Sequence, residues 1–215
     1  MTGSLLNTYQ RSKEDNSDDF IFYAQPRFVY HLDDAFRGRL TQLYRDRLTK
    51  DLIVLDLMSS WISHLPEEIS YRRVIGHGMN SAELEKNQRL DAHWVQDLNK
   101  NQNLPLEDSS IDACLMVAAW QYLQYPENVA AELKRIIRTG GQLLISFSNR
   151  AFWTKAPRVW AEGSDLDHLN YVKDVLISQG WPEPQFISEV TYKPGPISFL
   201  GLKGDPFFSV LASNN

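Results

Sequence analysis

A single cysteine, Cys114, stands among the 215 residues. It excludes an internal disulfide. Its place in an apolar run makes it an expected buried, inert thiol, compatible with a reducing, cytoplasmic setting. No stretch reaches the roughly 18 consecutive apolar residues of a membrane span. Positive charge is short as well: 22 Lys and Arg face 27 Asp and Glu, a net charge of −5. Broad nucleic-acid binding favours a basic surface and is not expected. The five histidines, His31, His64, His77, His93 and His168, include no i, i+4 pair, so no metal centre is expected. Gly-x-Ser-x-Gly is absent, which counts against an α/β-hydrolase. Gly-x-x-x-x-Gly-Lys-Ser/Thr and Gly-x-Gly-x-x-Gly are absent too, which counts against a P-loop NTPase and a dinucleotide oxidoreductase.

What is present reads as alternating α and β. Hydrophobic residues at 43% and charged residues at 23% describe an ordinary globular chain. Its length suggests one domain with a substantial core. Met1–Asp19 is polar and acidic without an apolar leader core, and reads as a flexible tail. Residues 20–215 read as a single domain, with 20–50 as its N-terminal lid and first helix. Helical spacing of Leu32, Phe36, Leu40, Leu43 and Tyr44 predicts a helix over Leu32–Leu48. Short apolar runs predict strands at Leu52–Asp56, Arg73–Gly76, Trp94–Asp97, Ile111–Ala118 and Gln142–Ser148. Helices are expected at Ser81–Asn87, Pro126–Ile137 and Asp165–Gln179. Two late strands, Gln185–Tyr192 and Pro206–Ala212, are expected as an antiparallel hairpin joined by Tyr192–Leu202. Apolar runs between helices favour a parallel sheet covered on both faces. Ligands bind such sheets at the carboxyl ends of the strands, near the topological switch point.

The segment Asp97–Gly141 carries the most specific pattern. Asp97-Leu98-Asn99 is followed by Leu104-Pro-Leu-Glu-Asp-Ser-Ser-Ile-Asp112, an apolar run, a helix pattern and Arg138-Thr-Gly-Gly141 before the next strand. This resembles the second half of the class I S-adenosylmethionine (SAM)-dependent methyltransferase domain, type 11 subgroup. The resemblance covers roughly Leu52–Phe147 and implies a Rossmann-like α/β fold, a mixed seven-stranded sheet with helices on both faces. It also implies SAM as cofactor. Asp97 matches the acid that accepts the adenine amino group, with the Leu98 N–H meeting a ring nitrogen. The plainer reading is that Asp97 caps a turn.

The first two loops depart from that family. Its first strand is followed by acid-x-Gly-x-Gly-x-Gly. Here Asp56 keeps the acid, which in the family orders the loop and the amino group of the methionine moiety. Met58, Ser60 and Ile62 occupy the glycine positions. The loop is similar to one in methyltransferase-like proteins of photosynthetic organisms. Ser59, Ser60 and Ser63 would offer hydroxyls and N–H groups to the ligand; alternatively, Met58 and Trp61 fill the cleft. The second strand should end in a ribose-binding acid, but Gly78 stands there, flanked by Gly76 and His77. His77 or Asn80 would bond one hydroxyl, and Glu83 is an outside candidate. In the fourth loop Ala118 would border the cofactor, while Trp120, Gln121 and Tyr122 would face the acceptor. In the segment Phe20–His31, Tyr23 and Arg27 are lid candidates, since an arginine fork suits the SAM carboxylate. Phe152–Asp167 is expected to shape the acceptor pocket.

Methyl transfer asks little of side chains, so no catalytic residue is assigned. The expected function is methyl transfer from SAM to a small-molecule acceptor. A protein acceptor, and an inactive methyltransferase-fold binding or assembly protein, are the alternatives.

Overall fold

The structure is a computed structural model, and it describes residues 5–191 and 204–215. Seven strands form one sheet in the order β3-β2-β1-β4-β5-β7-β6. They are β1 Ile53–Asp56, β2 Arg73–Gly78, β3 Ala92–Val95, β4 Ile111–Val117, β5 Ile137–Phe147, β6 Gln185–Val190 and β7 Pro206–Ser213. The first five pair in parallel, and β7 runs antiparallel to both β5 and β6. The expected loop at Tyr192–Leu202 falls outside the described residues.

The helices are α1 Thr8–Arg11, α2 Asp19–Phe22, α3 Asp34–Arg47, α4 Ser81–Lys86, α5 Pro126–Ile136, α6 Arg158–Ala161 and α7 Asp165–Ser178. Among the described residues no helix is long and apolar enough to cross a membrane. In β4, Ala113, Cys114, Leu115 and Met116 are all fully buried, as a strand covered on both faces must be. One face packs Leu55, Cys114 and Ile145 against Val129 and Leu133 of α5 and Val172 and Leu176 of α7. The other packs Val54, Ala113 and Leu144 against Phe36, Leu40, Leu43 and Tyr44 of α3. Alternation along each strand assigns neighbours to opposite cores. Burial in the first core pushes the Cys114 thiol well above its usual pKa, in keeping with an inert thiol.

The N-terminal segment is a correction to the expected flexible tail. Residues 5–19 pack as a strap. Asn7 and Gln10 close a capping box on α1. The Asp15 N–H donates to the Thr154 carbonyl at 2.8 Å, and the Arg158 N–H to the Ser12 carbonyl at 2.9 Å. Arg11 pairs with Glu127. Lys155, fully buried, donates to the Ser17 carbonyl at 2.8 Å and lies 3.1 Å from Asp15 and 3.3 Å from Asp19. Polar composition suggested disorder, but these polar groups find their partners in α5 and in the segment after β5.

β1 and β4 are neighbours, while the chain leaves β1 towards β2 and β3 on one side and returns as β4 on the other. That reversal opens a crevice at the carboxyl ends of β1 and β4.

Candidate functional site

A cavity of about 360 Å³ occupies this crevice. Small-molecule sites span roughly 300–1,000 Å³. Loops after the parallel strands line it, together with Tyr23, Arg27 and Val29–Leu32, which continue the strap.

β1 delivers Asp56 into the cavity. Its carboxylate is buried and accepts the Ser59 hydroxyl at 2.6 Å. No cation among the described residues offsets its burial, which pushes its pKa up to about 6. Met58 follows with φ +57°, the left-handed region that favours glycine. The bend is therefore made without the glycine, at a strain of about 1–3 kcal/mol. Ala118 after β4 (φ +49°) and His64 (φ +53°) share that conformation and also line the cavity. Clustered strain of this kind marks functional sites. Met58 and Trp61 both line the cavity without closing it. Trp61 instead packs against Tyr30 with ring centroids 4.9 Å apart, tilted by 43°, and donates to the Val29 carbonyl at 3.2 Å.

The loop is stitched to β2. The Met58 N–H donates to His77 Nδ1 at 3.1 Å and the Ser59 N–H to the His77 carbonyl at 2.6 Å. His77 Nε2 lies 3.0 Å from the Gln96 carbonyl. These partners select the neutral tautomer with hydrogen on Nε2, and burial lowers its pKa to about 4. His77 was read as a ribose candidate and otherwise as a partly exposed turn residue; it is buried, and both its nitrogens are engaged. Asn80 is engaged too, accepting from the Glu83 N–H and donating to the Tyr23 and Ala24 carbonyls. Gly76 does not line the cavity; a Cβ there would meet the Leu90 side chain at 2.3 Å. Gly78 does line it, yet a Cβ would lie 2.6 Å from the Ser59 carbonyl oxygen. Both glycines allow close packing of the chain on itself.

Asp97, after β3, also lines the cavity; it is buried, with one oxygen accepting the Asn99 N–H at 2.8 Å. The turn-capping role is thus real. Among the described residues its second oxygen has only Lys100, 3.8 Å away. The neighbouring Leu98 N–H finds no acceptor among the described residues. Asn99 ties this loop to the strap and the fourth loop, donating to Asp19 at 3.1 Å and to the Tyr122 carbonyl at 3.0 Å.

Of the three fourth-loop candidates, Tyr122 alone lines the cavity. Trp120 and Gln121 are 1% exposed and sit in the interior, which corrects their assignment. The Tyr122 hydroxyl accepts the Phe152 N–H at 3.0 Å, and burial pushes its pKa to about 12. Tyr23 and Arg27 both line the cavity. The Arg27 guanidinium lies over the Phe22 ring at 4.6 Å and donates to the Phe22 carbonyl at 2.8 Å. Lining residues that were not expected at the site include His64 and Arg37. Burial, aided by the Arg37 charge, lowers the His64 pKa to about 4. Nothing in their local sequence marks them.

Three comparisons bear on the chain. A family model described as methyltransferase domain matches residues 37–145. No curated protein sequence matches. Among solved structures, a chain of the complex between the Haloferax volcanii Trm112 methyltransferase activator and a methyltransferase superposes with TM-score 0.63 at 15% identity. The match covers 84% of this chain and 90% of that one. A SAM-dependent methyltransferase from Thermotoga maritima gives TM-score 0.58 at 18% identity, covering 84% and 91%. Phosphoethanolamine N-methyltransferase 2 of Haemonchus contortus, solved with SAM, gives 0.57 at 12% identity, covering 83% and 52%. At these identities the likeness is one of fold.

Proposed function

The chain belongs to the methyltransferase-domain family, and from that premise we propose that it is a SAM-dependent methyltransferase acting on a small-molecule acceptor. One observation carries the reading. The cavity at the switch point is lined by two buried carboxylates with spare acceptor capacity, Asp56 at the end of β1 and Asp97 after β3. SAM is a zwitterionic nucleoside whose ammonium and adenine amino group both require acceptors, so the residues present fit it. Asp56 takes the ammonium, Asp97 the adenine amino group, and the Leu98 N–H a ring nitrogen. Tyr23 and Arg27 attend the carboxylate. When bound, SAM supplies an activated methyl group on sulfur.

The protein's share is positioning and exclusion of water. Arg27 and Tyr23 do this from the continuation of the strap, and Ala118 and Tyr122 from the ends of β4 and the turn after it. The covered cavity suits a small acceptor better than a protein segment. The same reading treats residues 20–215 as one domain and places the protein in the cytoplasm.

Isothermal titration of the chain with SAM and S-adenosylhomocysteine tests it. Saturable binding is expected, weakened roughly 10- to 100-fold in Asp97→Ala by loss of an amino–carboxylate hydrogen bond. Heats equal to dilution in the wild type would sink the reading in favour of an inactive binding or assembly protein.

A further inference from the structure

We infer that Glu83, anchored by Ser60, forms a subsite for a ribose cis-diol, doing from α4 what no side chain at the end of β2 is able to do. The inference rests on the cofactor reading above and deepens it.

The end of β2 is closed to a carboxylate. A side chain at position 78 would run into the Ser59 carbonyl oxygen, a backbone atom that cannot swing aside. His77 and Asn80 have spent their polar atoms on the protein. Four carboxylates line the cavity: Asp19, Asp56, Glu83 and Asp97. Asp19 is held by Lys13 at 2.6 Å and Lys155 at 3.3 Å. Asp56 ends β1 and Asp97 follows β3, the two strands that flank β2 in the sheet. Glu83 belongs to the helix that directly follows β2.

Its geometry suits a diol. Oε2 accepts the Ser60 hydroxyl at 2.6 Å and Oε1 accepts the Arg27 N–H at 2.6 Å. Each oxygen has one protein donor and a further lone pair, so the carboxylate is oriented yet still a two-point acceptor. Two neighbouring hydroxyls match that pair. Glu83 also declines a local role. It stands third in α4 behind the Asn80 cap, where a glutamate often folds back onto the cap's own N–H. Here it meets Ser60 and Arg27 instead, joining the glycine-poor loop, α4 and the strap at one carboxylate. The serine at position 60 thus supplies the hydroxyl that fixes the acid.

The test is calorimetry of the full chain with S-adenosylhomocysteine and its 2′-deoxyribose analogue. The wild type should bind the ribose form at least roughly 10-fold more tightly, the scale for losing one hydrogen bond to a charged acceptor. Glu83→Gln should weaken the ribose form by a similar factor and bring the two ligands to near-equal affinity. Ser60→Ala, which loosens Glu83 while leaving its charge, should narrow the discrimination partway and serves if the first variant does not fold. Full discrimination in Glu83→Gln, or in Ser60→Ala where that variant must stand in, would overturn the inference while leaving the cofactor reading intact. A wild type that binds neither ligand would overturn both.

Discussion

Asp56→Asn should unfold at higher urea than the wild type at pH 7.5 while losing most of its affinity for SAM. Burial raises the Asp56 pKa from 3.8 to about 6 without a cationic partner. A folded-state pKa above the unfolded one means the protonated form is favoured by folding. That stability is fully present below pH 3.8 and lost as pH rises through 6. At neutral pH the ionised carboxylate is therefore a net cost. About two pKa units correspond to at most ~3 kcal/mol, and a gain of about 2 kcal/mol is expected because asparagine brings its own amide to satisfy. The gain should fade as pH falls towards 4. His77 and His64 act with the opposite sign: their pKa values lie near 4 instead of 6.5, so their contribution is lost as pH falls from 6.5 to 4. With Asp56 removed, the acid side of the stability profile should steepen. Urea melts from pH 4.5 to 7.5 and SAM titrations at pH 7.5 check both halves. A variant less stable than the wild type at pH 7.5 would refute the electrostatic account. The combination is what a ligand site predicts, since an unpaired buried acid is costly until a cation arrives.

The strands that could be read from sequence were those buried on both faces. Val54-Leu55 and Ala113–Met116 are apolar because both neighbouring layers are helices. β3 is an edge strand of alternating exposure, so its apolar signal is thin, and it lies at Ala92–Val95, two residues before the expected Trp94–Asp97. β5 begins at Ile137, not Gln142, because Arg138–Gly141 continues the strand with Gly140 at φ +78° and a register shift against β4. The acids Asp56 and Asp97 were legible because each directly follows or ends a strand. The clamp from His77 to Met58, the bond from Glu83 to Ser60 and the burial of Trp120 were not. Each depends on contacts between segments that sequence spacing does not bring together. Trp120, Gln121 and Tyr122 are consecutive, and only the direction of one 3₁₀ turn decides that Tyr122 meets the cavity.

Lys155→Met should destabilise the protein by about 2–3 kcal/mol, below the scale for breaking a fully buried ion pair because Asp15 is partly exposed and Asp19 keeps other donors. Methionine keeps the length and apolar contacts of the stem but removes the ammonium. Buried Asp19 then loses one of its donors, and Asp15 and Ser17, nearer the surface, lose theirs. Lys13→Met should cost less, because among the described residues Lys13 bonds Asp19 alone, and Asp19 would still have Lys155 and Asn99. Urea unfolding of the two variants measures the difference, and a Lys155→Met loss under about 1 kcal/mol would refute the latch. The consequence extends beyond stability. Asp19 reaches the third loop through Asn99, and the strap it anchors brings Arg27 to Glu83. Loosening Lys155 should therefore raise hydrogen exchange across residues 5–31 before global unfolding and weaken SAM binding, although Lys155 does not line the cavity. A segment whose polarity suggests disorder is ordered here because its charges are matched, those of Asp15 and Asp19 by the buried Lys155. The strap's side of the site depends on that match.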